Sequence, residues 1–321
     1  MKKKLGIIAL VAVMLLAVGC ESGGSGSGSA QDDVYNIGVI QLVEHSALDN
    51  ATAGFVEVLE QELGDKVNIE IQNAQGEIPN CTTIATKFVN DGMDLILANA
   101  TPAAQAAAQA TSEIPIVGTS ITDYVVAGLV DSNEAPGRNI SGTSDLSAID
   151  KHVLLMQKLC PDVKKVGVVY CSSEDNSIVQ AEEAEKYFAK AGYEVVKYTA
   201  ADTNEIQPVL SKVIEEVDGV YIPTDNLFAN NMEMVKNATV PAGIPVICGE
   251  ENMVKVGGLA TFSVDYHTLG KNAGLMAIEV LKGKDISTLP VGFMKAEELK
   301  LVINEEIREA LGVKVPEDMG L

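Results

Sequence analysis

The chain has 321 residues, 47% of them hydrophobic, with no tryptophan, a composition that suits soluble globular lobes and a length that suits two domains. Its formal net charge of −22 argues against a nucleic-acid partner, because phosphate binding needs clustered Lys and Arg. Arg138 and Arg308 are the only arginines, so a bound anion would have to be held by other donors.

The first elements belong to export. Lys2, Lys3 and Lys4 precede an apolar run from Leu5 to Val18, which is too short to span a bilayer comfortably and has the length of a signal-peptide core. The run ends in Ala-Val-Gly-Cys, similar to a bacterial lipobox, which implies cleavage before Cys20 and lipid on its sulfur. Residues 1–20 are thus expected to be a lipoprotein signal, and the Gly/Ser-rich stretch 21–33 a flexible tether. Removal of the signal takes away three lysines and no acid, shifting the charge from −22 to −25. Cys81, Cys160, Cys171 and Cys248 remain. None forms a CxxC pair or has a histidine at metal-ligand spacing, so buried reduced thiols and no metal are expected. Unpaired thiols in an exported protein point to a reducing habitat.

From Asn36 onward short apolar strands alternate with amphipathic helices. "IGVI" (37–40) leads into a helix over about 47–63 that Gly64 stops, and "VNIEIQN" (67–73) alternates as a strand does. A helix near 80–91, the strand "DLILAN" (94–99), an alanine-rich helix behind Thr101-Pro102 and the strand "IPIVGTS" (114–120) follow. The second half repeats these landmarks in order. "KVGVVYCSS" (165–173) answers "NIGVIQL", "DGVYIPTDN" (218–226) answers "DLILANATP", and "IPVICGEEN" (244–252) answers "IPIVGTSIT". The expected fold is α/β, two doubly wound Rossmann-like lobes with parallel sheets. The lobes are expected at 34–143 plus part of 265–295, and at 144–264 plus part of 296–321.

In such sheets ligands sit beyond the carboxyl ends of the strands, so two facing lobes would share one cleft. On the first lobe, Thr101 is expected as N-cap with Pro102 at the first helical position. The exposed N–H groups of that helix start favour an anion, Ala103 leaves room beside it, and Thr119 and Ser120 add hydroxyls. On the second lobe, Asp225 and Glu250 end strands and are candidates for holding an ammonium group. Asn176 and Ser177 could bond a zwitterion's polar end, and Ser172 and Asn226 are further candidates for ligand contact. A carboxylate-binding wall facing an acidic wall describes an α-amino acid. Asp265 and Tyr266 follow the last crossover, and His45, Tyr124, Phe228 and Tyr266 are the candidate aromatic walls. His152, on an expected helix over 147–160, reads as structural. There is no GxSxG, HExxH, P-loop or GxGxxG after the first strand, hence neither enzyme nor cofactor is expected.

At "VEHSALDNATAGF", "NAQGE", "ATPAAQAAA", "GTSITD", "YIPTDN" and "GGLATFSVDYHTLG" the chain closely resembles the substrate-binding lipoproteins of ABC importers of the TrpX type. The resemblance runs from about 35 to 315. It implies a type I periplasmic-binding-protein fold with three crossovers, hinge closure on the ligand, and delivery of tyrosine, tryptophan or phenylalanine to a permease. It implies Thr101 and Ser120 as carboxylate donors and Asp225 or Glu250 as the acid on the amine. Cys171-Ser172-Ser173 departs from the expected Asn-Pro or similar turn. A monomer, lipid-anchored outside the cytoplasm, is expected. Alternatives are a receptor for a nucleoside or branched-chain amino acid, a surface adhesin as a second role, and a secreted hydrolase, which lacks a nucleophile pair.

Overall fold

The computed structural model describes residues 34–317. The expected signal segment 1–20, its Cys20 and the tether 21–33 lie outside the described residues. Continuous apolar runs become strands buried on both faces, as parallel sheets require, and the amphipathic segments become the helices that cover them. The first lobe runs β1 (Tyr35–Gln41), α1 (Ser46–Leu63), β2 (Val67–Asn73), α2 (Ile78–Asp91), β3 (Leu95–Asn99), α3 (Thr101–Ala110), β4 (Ile116–Ile121) and β5 (Ile140–Ser144). The second runs α4 (Ile149–Leu159), β6 (Lys165–Cys171), α5 (Asp175–Lys190), β7 (Glu194–Ala200), α6 (Thr203–Glu216), β8 (Gly219–Ile222), α7 (Asn226–Asn230), α8 (Met232–Thr239), β9 (Val246–Cys248), α9 (Glu251–Val256) and β10 (Ala260–Ser263). The chain then returns through α10 (Tyr266–Leu281) and β11 (Gly292–Phe293) before ending in β12 (Lys300–Ile303) and α11 (Glu305–Ala310).

Both sheets have six strands in matching order, β11-β5-β4-β3-β1-β2 and β12-β10-β9-β8-β6-β7. Every pairing is parallel except β10 with β12. The doubled sequence pattern is therefore a doubled topology, with β1, β3 and β4 answered by β6, β8 and β9. Three connections cross between the sheets, at 145–148, 264–265 and 294–299. The helix α10 packs on α1 at glycine contacts. A Cβ at Gly270 would run into the Ala51 carbonyl oxygen, and one at Gly54 into that of His267. No helix among the described residues is long and apolar enough to cross a membrane.

The four described cysteines are free and buried. Burial pushes Cys81 up to about 11 and Cys160 and Cys171 up to about 12. His152 lies fully inside the second core, its ring nitrogens 3.2 Å from the Tyr221 hydroxyl and 2.9 Å from the Phe262 carbonyl. Burial lowers its pKa to about 4, so it is neutral and structural.

Candidate functional site

The strand-end loops of the two sheets meet in one cleft. His45 stands before α1, Ser120 near the end of β4, Asp145 on the first crossover and Tyr266 just past the second. Asn176, Asp225 and Glu250 face them from the starts of α5, α7 and α9. The cavity they enclose is about 20 Å³, room for about one water. That is far below the roughly 300–1,000 Å³ of a small-molecule site, so a ligand enters only when the lobes part. An outer groove of about 390 Å³ lies beside it, between residues 75–79 of the first lobe and residues 202–204 of the second.

The first-lobe wall is strained and under-bonded. Ala100 and Ser120 have φ of 102° and 54°, and Gln75 is the only other non-glycine residue with positive φ among those described. Each such residue costs about 1–3 kcal/mol and persists where the surrounding structure imposes it, often at ligand sites. Beside them the Thr101 Oγ1 and Ser120 Oγ atoms are buried with no hydrogen-bond partner. A buried hydroxyl left unbonded costs roughly 1–3 kcal/mol, so this strained wall carries two donors that an acceptor could satisfy. Thr101 is not the N-cap that the sequence suggested. Ala100 occupies that position with its extended, positive-φ backbone, and Thr101 begins the helix. Freed from capping, its hydroxyl remains available.

The opposite wall is acidic. Asp225 accepts from the Phe228 and Cys171 N–H groups at 2.8 and 2.6 Å, capping α7. Glu250 accepts from the Asn252 and Met253 N–H groups at 2.6 and 2.5 Å, capping α9. Glu174 accepts from Asn226 Nδ2 at 2.6 Å and the Leu227 N–H at 3.1 Å. On the first-lobe side, Asp145 takes bonds from two hydroxyls instead, Thr122 at 3.1 Å and Tyr266 at 2.8 Å. Burial raises all four, taking Glu250 to about 7, and Asp225 adds to the rise at Glu174. No lysine or arginine lines the cavity. His45 is lowered by burial and sits 3.3 Å from Asn226 across the cleft. Thr122 also meets Thr224 across the lobes at 3.3 Å, and Gln180 Nε2 donates to Thr122 at 3.3 Å.

Comparison with known proteins gives the cleft its context. Residues 36–320 match the family described as ABC transporter substrate binding protein. The chain belongs to this family. A curated relative, the Tyrosine-binding protein of Clostridioides difficile (strain R20291), is 44% identical over 87% of this chain and 81% of its own length. An ABC domain from Streptococcus pneumoniae, solved in complex with L-Trp, is 36% identical, covers 89% of this chain and 97% of its own, and superposes with a TM-score of 0.86. The ligand-free, open structure of a Clostridium difficile substrate-binding protein with adhesive properties covers the same shares at 41% identity, with a TM-score of 0.68.

The open structure is the more similar in sequence yet the less similar in shape. The lobes of this structure thus stand nearer the arrangement of the L-Trp complex than that of the open structure, in keeping with the contracted cleft. The architecture is that of the type I periplasmic binding proteins. The family is one of solute binders rather than enzymes, and it works outside the cytoplasm.

Of the residues singled out from sequence, His45, Ser120, Asn176, Asp225, Asn226, Glu250 and Tyr266 share the cavity wall. Thr101 lines a smaller void of about 10 Å³ beside it, also touching Asn176. Pro102 faces the outer groove. The others lie elsewhere. Tyr124 is fully buried in the first core, where Gly118 and Gly142 make room for its ring and its hydroxyl donates to the Thr143 carbonyl at 3.1 Å. Phe228 is fully buried in the second core, and Ala103 in the first. Thr119 is bonded to Thr143 inside the sheet at 3.1 Å. Ser172 is exposed, and Ser177 is buried behind Asn176, which donates to it at 3.3 Å. Asp265 caps α10 through the Thr268 N–H at 2.9 Å and pairs with Lys300 at 2.6 Å. The sequence reading missed Thr122, Asp145, Gln180 and Thr224. The rule that drew attention to Asp265 and Tyr266, position at a crossover, applies equally to Asp145.

Proposed function

We propose that this protein captures an aromatic L-amino acid (tyrosine, tryptophan or phenylalanine) between its lobes and delivers it to an ABC permease. The observation that carries the reading is the pair of unpartnered buried hydroxyls, Thr101 Oγ1 and Ser120 Oγ, at the strained ends of β3 and β4 beside the start of α3. They suit a carboxylate held without arginine, and the buried acids lining the same cavity suit the ammonium group of the same ligand. His45 and Tyr266 supply flat surfaces for a side chain. The tyrosine- and L-Trp-binding relatives support the aromatic class. The protein acts as a monomer held to the outer face of the membrane by lipid on Cys20, without metal, cofactor or catalysis.

Thermal melting of residues 21–321 against the amino acids and common nucleosides tests the ligand class, because a ligand of the folded state alone must raise Tm. An aromatic amino acid should give the largest rise; a larger one from a nucleoside or from leucine rejects the reading. For the anchor, Cys20→Ala should leave the protein secreted or unprocessed, and finding it firmly membrane-bound rejects the lipid site.

A further inference from the structure

Three buried acids line the cavity, and their surroundings differ. Glu250 has both carboxylate oxygens engaged by backbone N–H groups of the helix it caps, and Asp225 has one oxygen on the Phe228 N–H of its helix and the other on the Cys171 N–H at the end of β6, so the orientation of both is set by the second lobe. Asp145 is 5% exposed and is held by side-chain hydroxyls, which can turn to share an oxygen with another donor. Its own N–H donates to the Ile121 carbonyl at 3.2 Å, which anchors it one residue along from Ser120. An α-amino acid carries its ammonium and carboxylate groups on one carbon, so the groups that hold them must be neighbours. Ser120 and Asp145 are such neighbours, lining the same cavity. A buried carboxylate normally has a cationic partner, and no lysine or arginine lines this cavity to provide one.

We propose that Asp145, on the first crossover, is the residue that holds the ligand's ammonium group. The assignment rests on the amino-acid reading above and deepens it. Asp225 and Glu250 then act as helix caps that keep the far wall negative. Asp145 also sits where the lobes are coupled. Its partner Thr122 reaches Thr224 and Gln180 of the second lobe, and its partner Tyr266 stands just past the second crossover. Contact of an ammonium group with Asp145 thus bears on the group that joins the two lobes.

The test compares L-tyrosine with 3-(4-hydroxyphenyl)propanoate, the same acid without its amine, by titration calorimetry on residues 21–321. Wild type should prefer L-tyrosine by at least about tenfold, the scale of one charged hydrogen bond. Asp145→Asn should lose most of that preference while binding the propanoate nearly as wild type does. Glu250→Gln should melt at a lower temperature yet keep the preference. If Asp145→Asn weakens both ligands equally, or keeps the preference, the assignment is overturned. Should Asp145→Asn fail to melt cooperatively, Asp145→Ser, whose hydroxyl can still accept from a neighbour, is judged by the same two outcomes. Wild type that binds none of the three aromatic amino acids overturns the parent reading and this assignment with it.

Discussion

At Thr101 and Ser120, stability and the proposed carboxylate role pull a single hydroxyl in opposite directions. Their hydroxyls are buried and unbonded, so removing either takes away a cost of the ligand-free fold. Thr101→Val and Ser120→Ala should leave Tm unchanged or slightly higher while weakening every amino-acid ligand by roughly 10- to 150-fold, about 1.5–3 kcal/mol. Calorimetry paired with melting checks both halves; a variant that loses stability and keeps its affinity contradicts the carboxylate role. Asp225 behaves in the opposite way. Each of its oxygens meets a backbone N–H, and Asp225→Asn would turn an amide NH₂ toward one of them. A destabilisation of about 1–3 kcal/mol is expected in denaturant unfolding, since one buried N–H loses its acceptor. The identities of these residues could be read from sequence, but their bonding could not. Whether a Thr caps a helix or starts it depends on the backbone of Ala100, which no local pattern announces.

Among the elements, the contact of α1 with α10 positions much of the first-lobe wall. The two backbones approach closely enough that Gly270 faces the Ala51 carbonyl and Gly54 faces that of His267. Gly270→Val should therefore destabilise the protein by about 1–3 kcal/mol or more through overpacking. Because Tyr266 starts α10 and donates to Asp145, the same change should also weaken ligand binding. Wild-type stability in denaturant titration of Gly270→Val would contradict this packing. Sequence periodicity located α1 well, since it has a wide apolar stripe. It gave no sign of β5, whose "ISGTS" has neither alternation nor an apolar run. That segment is a strand because it lies between β4 and β11, and its burial is wholly a product of its neighbours.

At the scale of the whole molecule, the two lobes gather buried carboxylates that carry no compensating lysine or arginine in the cavity. A carboxyl whose pKa is raised in the folded state binds protons that the unfolded chain has already released. Its stabilising contribution is complete below the unfolded value of 4.5 and is lost as pH rises through about 7 for Glu250. The strongly negative chain, −22 overall, adds repulsion in the same direction. Ligand-free Tm should therefore rise as pH falls from 8 to 5.5. Affinity for an amino acid should fall over that range, because protonated acids no longer attract its ammonium group. Melting and titration across pH check both trends, and parallel movement of the two would refute the account. Opening is equally measurable. Ligand-free protein in solution should scatter X-rays as a larger particle than ligand-bound protein, since a cavity of about 20 Å³ admits nothing larger than a water.

The sequence by itself determined the α/β class, the doubling of the strand–helix pattern and the set of strand-end loops that could hold a ligand. Those features are written in apolar periodicity, in the two Ile-Pro strand openings and in helix-start residues, all of which act within about a dozen positions of the chain. Only the tertiary structure decided which strand-end residues face the cleft. Tyr124 and Phe228 lie a few residues past strands as His45 does, yet glycine gaps and core contacts draw the first two inward. Asp145 and Thr122 gain their importance from Tyr266, Thr224 and Gln180, partners that lie far away along the chain. Burial, orphaned hydroxyls and raised carboxyl pKa values are properties of enclosure, and enclosure exists only once the two lobes meet.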